Sequence, residues 1–117
     1  MIAVIFEVWP KSGCRDDYLA VAGELRALLE ATEGFISIER FESLTEPGKM
    51  LSLSFFASED AVKTWRNTLE HRRAQALGRA KLFDNYRLRI ASVVRDYGMG
   101  DRGQVPEDSR TLHDVGR

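Results

Sequence analysis

The sequence has few of the residues that cross-link a small fold or bind metal within it. Its 117 residues include a single cysteine, Cys14, which excludes an internal disulfide and a cysteine-based zinc cluster. No apolar run approaches the roughly 20 residues that span a bilayer. No basic segment precedes the first apolar stretch, as it would in a signal peptide. We therefore expect a cytoplasmic globular protein with no membrane partner.

The composition is that of one folded domain. Apolar residues make up 44% of the chain and charged residues 30%, which suits a core with a hydrated surface and argues against disorder as the main state. The length also suits a single domain. After residue 97, glycine, proline and charged residues replace the alternating apolar pattern. We therefore expect a domain over residues 1–97 and a polar C-terminal tail over residues 98–117.

Charge is distributed unevenly along the chain, although the formal total is −1. Residues 1–62 hold 5 Lys or Arg and 11 Asp or Glu, and residues 96–117 hold 3 and 5. Residues 63–95, by contrast, hold 9 Lys or Arg and only 2 Asp or Glu. Such a cationic segment indicates an anionic ligand, nucleic acid, or subunits that attract each other.

Hydrophobic periodicity predicts four strands and two helical regions. A period of two indicates a strand, and apolar residues at i, i+3, i+4 and i+7 indicate a helix. The resulting order is β-α-β-β-α-β, which is that of an α+β ferredoxin-like fold with a four-stranded antiparallel sheet. The predicted strands cover residues 2–9, 35–43, 50–56 and 83–97, and the helical regions begin near residues 15 and 58.

Apolar residues occur on both faces of the first three predicted strands. Two helices cover only one face of such a sheet, so the other face needs a different cover. A second copy of the chain would supply it, and we expect a homodimer packed sheet to sheet as a dimeric α+β barrel. In the second strand, Phe35 and Phe41 are predicted on one face and Ile36 and Ile38 on the other.

Trp65 and His71 are the residues of the second helical region with the chemistry for a site. They are six positions apart, or about 240° around an unbroken helix, so they share a cavity only if the helix bends or restarts near Thr68–Glu70. Trp65 suits core packing or a pocket wall that stacks a planar ligand. His71 suits a general base toward a phenolic proton, or a helix-terminal histidine bonded to backbone.

Three further residues are candidate substrate contacts. Gln75 lies four residues after His71 and therefore on the same side of the helix. Tyr86 has a hydroxyl for a ligand, although the strand pattern also explains it as core. Arg87 shares a strand face with Arg89 and could reach a pocket or the dimer seam, where it would stabilise an anion. Solvated charges and intersubunit pairs with the acidic first half of the chain are the favoured explanation of these arginines.

Metal and nucleic-acid sites are disfavoured. The only other histidine, His113, lies in the tail, and no His-x-x-x-His pair exists, so no metal site is predicted. An RNA-binding domain of the same topology would carry a Lys/Arg-Gly-aromatic pattern on its third strand. Residues 50–56 contain neither glycine nor a basic residue, so no nucleic-acid partner is expected.

Several motifs follow one another in a recognisable order. They are the segment Leu51 to Trp65, Glu70-His71-Arg72, Ala74-Gln75, Gly78-Arg79, Phe83, Tyr86-Arg87-Leu88 and Arg95-Asp96-Tyr97, preceded by Gly34-Phe35-Ile36 and Pro47-Gly48-Lys49. In this order they resemble the antibiotic biosynthesis monooxygenase family of dimeric α+β barrels. The resemblance covers roughly residues 1–97 and excludes the tail.

The resemblance implies a homodimer with a pocket between the sheet and the second helix of each subunit. Relatives in that family oxygenate polyketide-like aromatic substrates with molecular oxygen and without metal or flavin. Others in the superfamily cleave haem, remove signalling quinones or have no known activity. The Trp and His that recur in the pocket correspond to Trp65 and His71, which are therefore the predicted catalytic residues.

Haem is disfavoured as a cofactor, and none is expected. Haem-degrading relatives use an Asn on the first strand, whereas this sequence has no Asn before Asn67 and the strand position corresponds to Phe6. The resemblance thus favours a cofactor-independent monooxygenase acting on a small planar aromatic or quinol-type substrate. The alternative is a non-enzymatic dimeric barrel, a stress-related or accessory protein that binds a small hydrophobic ligand. Whether the chain is an enzyme stays open at this point.

Overall fold

A computed structural model describes residues 1–113 of the chain. The order of its elements confirms the α+β ferredoxin-like βαββαβ fold with a four-stranded antiparallel sheet. The strands are β1 (Ile2–Pro10), β2 (Phe35–Glu42), β3 (Met50–Phe56) and β4 (Phe83–Ser92). The helices are α1 (Arg15–Glu30), α2 (Glu59–Arg66), α3 (Leu69–Leu77) and α4 (Glu107–His113), and a π-helical turn (Gly78–Leu82) joins α3 to β4. Within these 113 residues, no helix is long and apolar enough to cross a bilayer.

The register of the strands determines which side chains meet beneath the helices. The strand order is β2-β3-β1-β4. Arg40 of β2 pairs with Ser52 of β3, and Ser52 pairs with Phe6 of β1, which in turn pairs with Leu88 of β4. We call these four residues the central row. Because adjacent strands lie about 4.8 Å apart, the row is about 14 Å long.

Two clusters of buried side chains hold α1 and α2 against one face of the sheet. The first cluster contains Leu29, Phe56, Ala61, Val62 and Trp65. The second contains Val8, Tyr18 and Met50. Tyr18 and Leu29 are eleven residues apart, which is about 16 Å along a helix that rises 1.5 Å per residue. The two clusters therefore hold α1 near both of its ends and leave its middle above the central row.

The predicted faces of the second strand are wrong at its beginning. A β-bulge between Phe35 and Ser37 inserts Ile36 as an extra residue. The alternation of apolar residues predicts Phe35 and Ile38 on opposite faces, yet both pack against the first cluster. Phe41 lies on the other face. A bulge shifts the two-residue period by one position, which alternation of apolar residues does not reveal.

The fourth strand ends at Ser92, before the predicted end at residue 97. The N–H of Val93 still donates to the carbonyl of Met1 at 3.0 Å. The predicted tail is partly structured, since Val105 is buried and α4 follows it. Residues 114–117 of the tail lie outside the described residues.

The face of the sheet away from these helices is largely apolar on β1 and β3 and carries an ion cluster at Glu7. We call it the second face; on β1 and β3 it presents Ala3, Ile5, Glu7, Leu51, Leu53 and Phe55. The Nζ of Lys49 lies 2.5 Å from the Glu7 carboxylate, which Arg89 also contacts. These cations, Lys49 foremost, lower the pKa of Glu7. Glu7 is therefore ionised and paired on this face.

Candidate active site

A cavity of about 310 Å³ lies between the helices and the sheet. The central row lies along it, and both core clusters contribute to its lining, through Trp65 and Phe56 from the first and Tyr18 from the second. Other lining residues come from α3 and from the π-helical turn. The volume falls at the lower end of the range of small-molecule sites, about 300–1,000 Å³. A compact, mostly apolar ligand would fit it.

Asn67 and Thr68 divide the second helical region into α2 and α3. The hydroxyl of Thr68 donates to the carbonyl of Trp65 at 2.9 Å and accepts from the N–H of His71 at 3.2 Å. It thus satisfies polar backbone groups at the end of one helix and the start of the next. The rings of Trp65 and His71 consequently lie with centroids 5.1 Å apart and planes at 43°. The restart that their six-residue spacing requires occurs at Thr68.

His71 is held as a neutral imidazole with one free ring nitrogen. Its Nδ1 lies 3.3 Å from the carbonyl oxygen of Arg66. Because a carbonyl only accepts, Nδ1 carries the proton and Nε2 keeps its lone pair. Burial lowers the pKa of His71, and the charges of Arg72 and Arg66 lower it further, against the opposing hydrogen bond to the Arg66 carbonyl. His71 is therefore a neutral imidazole at neutral pH, as a general base must be.

The structure brings two of the three predicted substrate contacts to the cavity. Gln75 lines it, and its Oε1 accepts a hydrogen bond from Arg72 at 3.2 Å. Tyr86 lines it from the edge strand β4 with 40% of its surface exposed. Arg87 lies on the second face, at the position opposite Glu7 in the register of β1 and β4. Since side chains alternate along a strand, Tyr86 and Arg87 point to opposite faces.

The sequence patterns do not predict several polar residues of the lining. They include Tyr18, Arg40, Ser52 and Ser54. The signal for the serines is their alternation with leucines in β3, which places both hydroxyls on one face. Arg40 lies two residues after Ile38 and therefore on the same face of β2, which is the face toward the helices. The bulge in β2 prevents the sequence from showing which face this is.

The charges around the cavity are of one sign. Arg40, Arg66, Arg72 and Arg79 line it, and the lining contributed by residues 1–113 includes neither Asp nor Glu. Three of these arginines belong to the cationic segment 63–95. Arg72 also donates to Oδ1 of Asn67 at 2.7 Å. An anionic ligand is favoured in such an environment.

Phe83 forms part of the cavity wall and is positioned from behind by Gly78. Its ring packs against the rings of Tyr18, with centroids 5.6 Å apart, and Phe6, at 5.9 Å. A Cβ on Gly78 would lie 2.4 Å from the Phe83 ring. The close approach of the π-helical turn to this ring therefore requires glycine.

The sequence model of the antibiotic biosynthesis monooxygenase family (ABM) matches residues 1–77. The chain belongs to the antibiotic biosynthesis monooxygenase family. The resemblance seen in the sequence is thereby confirmed. The part that matches the ABM model contains Trp65, His71 and Gln75, whereas Tyr86 and Arg87 lie beyond it.

Two relatives and one solved structure are similar to this chain. Jasmonate monooxygenase ABM of Pyricularia oryzae is 39% identical over 116 residues, which cover 98% of this chain and 54% of the relative. The chain thus spans about half the length of that protein. YqjZ, an uncharacterized protein of Bacillus subtilis, is 31% identical over 80% of this chain and 79% of its own. Rv0793 of Mycobacterium tuberculosis shares the fold, with a TM-score of 0.74, 18% identity, and coverage of 83% of this chain and 98% of its own.

Proposed function

We propose that this chain is a cofactor-independent monooxygenase that oxidises a small planar aromatic or quinol-type substrate in the cavity between the sheet and α2–α3. The observation that carries the proposal is the neutral imidazole of His71 beside the Trp65 ring at an apolar cavity. The family assignment adds the expectation of oxygen chemistry. Fold alone does not determine function, so the proposal rests on these side chains.

His71 acts as the general base of the proposed reaction. Its Nε2 removes an acidic O–H or C–H proton from the substrate and leaves an electron-rich anion. The anion transfers one electron to O₂, and the two radicals combine to a hydroperoxide that loses water to give a carbonyl. The balance for an activated methylene is R₂CH₂ + O₂ → R₂C=O + H₂O. The substrate supplies all four electrons, and the proton held by His71 returns to the peroxide oxygen.

The predicted site residues that line the cavity beside His71 orient the substrate. Trp65 presents a ring on which a planar substrate stacks, a contact worth about 0.5–1.5 kcal/mol beyond its buried area. Gln75 and Tyr86 supply hydrogen-bonding groups at the same cavity. Holding the acidic group of the substrate near Nε2 of His71 lowers the entropic part of the barrier.

The name of the Pyricularia oryzae relative adds jasmonate to the candidate substrates. Hydroxylation of an unactivated carbon follows R–H + O₂ + 2 e⁻ + 2 H⁺ → R–OH + H₂O and therefore needs an external reductant. Jasmonate is accordingly assayed with and without NADPH, whereas an activated methylene or quinol needs none.

Oxygen uptake tests the proposal. We expect anthrone-like or quinol substrates to consume one O₂ per molecule oxidised, with no added flavin or metal and with no effect of a chelator. Heat-denatured protein measures the uncatalysed oxidation of each compound. Uptake at that background rate across the panel, or uptake that depends on added flavin or metal, would contradict the proposal.

We also propose that the chain forms a homodimer through the second face. The basis is the apolar surface of β1 and β3, with Phe41 of β2 41% exposed beside it. The Glu7, Lys49 and Arg89 cluster would lie within such an interface as an internally paired group. Burial of this apolar area would drive association.

Sedimentation measures the proposed association directly. We expect a mass of twice the 13.3 kDa of one chain at micromolar concentration, and a shift toward one chain for Leu53→Asp, which buries a charge in the interface. The matched control is Leu44→Asp, since Leu44 is fully exposed and its replacement should leave the mass unchanged. A wild-type mass of 13.3 kDa would contradict the dimer.

A further inference from the structure

Arg40 lines the cavity with a polar atom that the protein leaves unsatisfied. Its Nε is buried, and among the described residues it is the one buried side-chain nitrogen or oxygen without a hydrogen-bond partner. Buried polar groups in native proteins are nearly always paired, so an exception calls for an explanation. The reaction proposed above makes no use of this group.

No carboxylate within residues 1–113 forms an ion pair with Arg40. The nearest acid on the same face of β2 is Glu42, and that carboxylate is paired with Arg15 at the start of α1. Keeping a guanidinium partly out of water without a counter-ion destabilises a fold. An arginine that is kept here despite this destabilisation indicates that a bound anion serves as its counter-ion.

Two hydroxyl groups lie beside Arg40 at the same end of the cavity. Ser52 is its direct partner across β2 and β3 and also lines the cavity. Burial raises the pKa of the Tyr18 phenol. The charge of nearby Arg40 and a hydrogen bond with it act in the opposite direction, but their effect is smaller. Tyr18 is therefore a protonated donor at neutral pH. A guanidinium and two hydroxyls form a donor set suited to a carboxylate.

The rest of the cavity is suited to an apolar body. From Ser52 the central row continues through Phe6 to Leu88, so apolar side chains extend from the donor set toward β4. Two of the other lining arginines are less suitable anchors. Arg72 and Arg79 are exposed to solvent, where salt screens their charge, and Arg72 already bonds to Asn67 and Gln75.

We propose that Arg40, with Tyr18 and Ser52, is the binding site for the carboxylate of an acidic substrate whose apolar body lies along the central row. This inference rests on the proposed function in taking the cavity as the substrate site. It adds the substrate class, which is a compact apolar carboxylic acid. It also makes Arg40 the residue that determines specificity for such an acid over its neutral analogues.

Calorimetric titration with matched probes tests the assignment. The probes are 1-naphthylacetate and cyclohexylacetate, each compared with its methyl ester, which keeps the shape and removes the charge. We expect at least one acid to bind wild-type protein about 10- to 100-fold more tightly than its ester, as a charge-assisted hydrogen bond implies. Arg40→Gln should remove that preference, Arg40→Lys should keep part of it, and the exposed control Arg26→Gln should keep all of it.

Several outcomes would overturn the inference. They are equal binding of acids and esters by wild-type protein, a lack of binding by both acids, and a preference for acids that persists in Arg40→Gln. The wild-type comparison remains decisive even if a variant folds poorly, although removal of an unpaired charge should leave the melting temperature equal or higher. Arg40-dependent acid binding without oxygen uptake would contradict only the oxygenase. Oxidation of neutral substrates together with equal binding of acid and ester would contradict only the carboxylate site.

Discussion

His71→Gln is expected to lower kcat by about 10²- to 10⁴-fold, which is the usual contribution of a general base. Glutamine keeps the backbone N–H that Thr68 caps and most of the side-chain volume, but it has no nitrogen that accepts a proton near neutral pH. The substrate should still bind because Trp65 and the rest of the lining are unchanged. Steady-state oxygen uptake with the best panel substrate measures kcat and KM separately.

The pH dependence of the wild-type reaction should identify the same group. Protonated His71 cannot accept a proton, so activity is full above its pKa in the folded protein and is lost as the pH falls through that value. Because burial and neighbouring arginines lower this pKa, the acidic limb should lie below the usual histidine value of about 6.5. We expect the limb to disappear from the residual activity of His71→Gln.

The chain provides a matched control for this experiment. Its other histidine is His113, and His113→Gln should leave both kcat and the acidic limb unchanged. A His71→Gln variant with wild-type kcat would rule out the general-base role. A limb that persists in that variant would assign the titration to another group.

Trp65→Ala is expected to lower the free energy of unfolding by about 3–5 kcal/mol, the usual cost of removing a large buried aromatic side chain. Trp65 is 8% exposed and joins α2 to Leu29 of α1 and Phe56 of β3. A domain of this size has about 5–15 kcal/mol of stability in total, so the loss could unfold it. Urea denaturation followed by circular dichroism measures the difference.

The second tryptophan separates this effect from the general loss of an indole. Trp9 is only half-buried; its Nε1 donates to Glu46 at 3.0 Å and Lys49 lies over its ring. Trp9→Ala should therefore cost about 1 kcal/mol. Equal losses for the two variants would show that Trp65 contributes no more than a half-buried residue, and its place in the first cluster would need another explanation.

Much of the fold could be predicted because local patterns and global packing agree. The alternation in β1 and β3 and the helical period in α1 are long enough to identify each element. The six-residue spacing of Trp65 and His71, with a capping residue between them, even predicted where the helix must restart for the two rings to meet. These features depend on neighbours along the chain, which a sequence displays directly.

The missed features depend instead on pairing between distant segments. The bulge in β2 follows from how Phe35 and Ser37 align with β3. Because it adds one residue, the side chains before it lie on the face opposite to the one that simple alternation predicts. Arg40 was overlooked for the same reason, because its role depends on which side of β2 faces the helices. The end of β4 at Ser92 depends on how far its pairing with β1 extends, which the apolar alternation along β4 does not reveal.

The contact between Gly78 and Phe83 has a consequence for the divergence of related ABM proteins. The ring forms the cavity wall, while the glycine supports it from outside, so the width of the cavity is set by a residue that lies behind its wall. A methyl group at position 78 would displace the ring rather than block a ligand directly. A single substitution at position 78 can thus change which compounds the cavity accepts without altering the residues of the proposed acid–base chemistry.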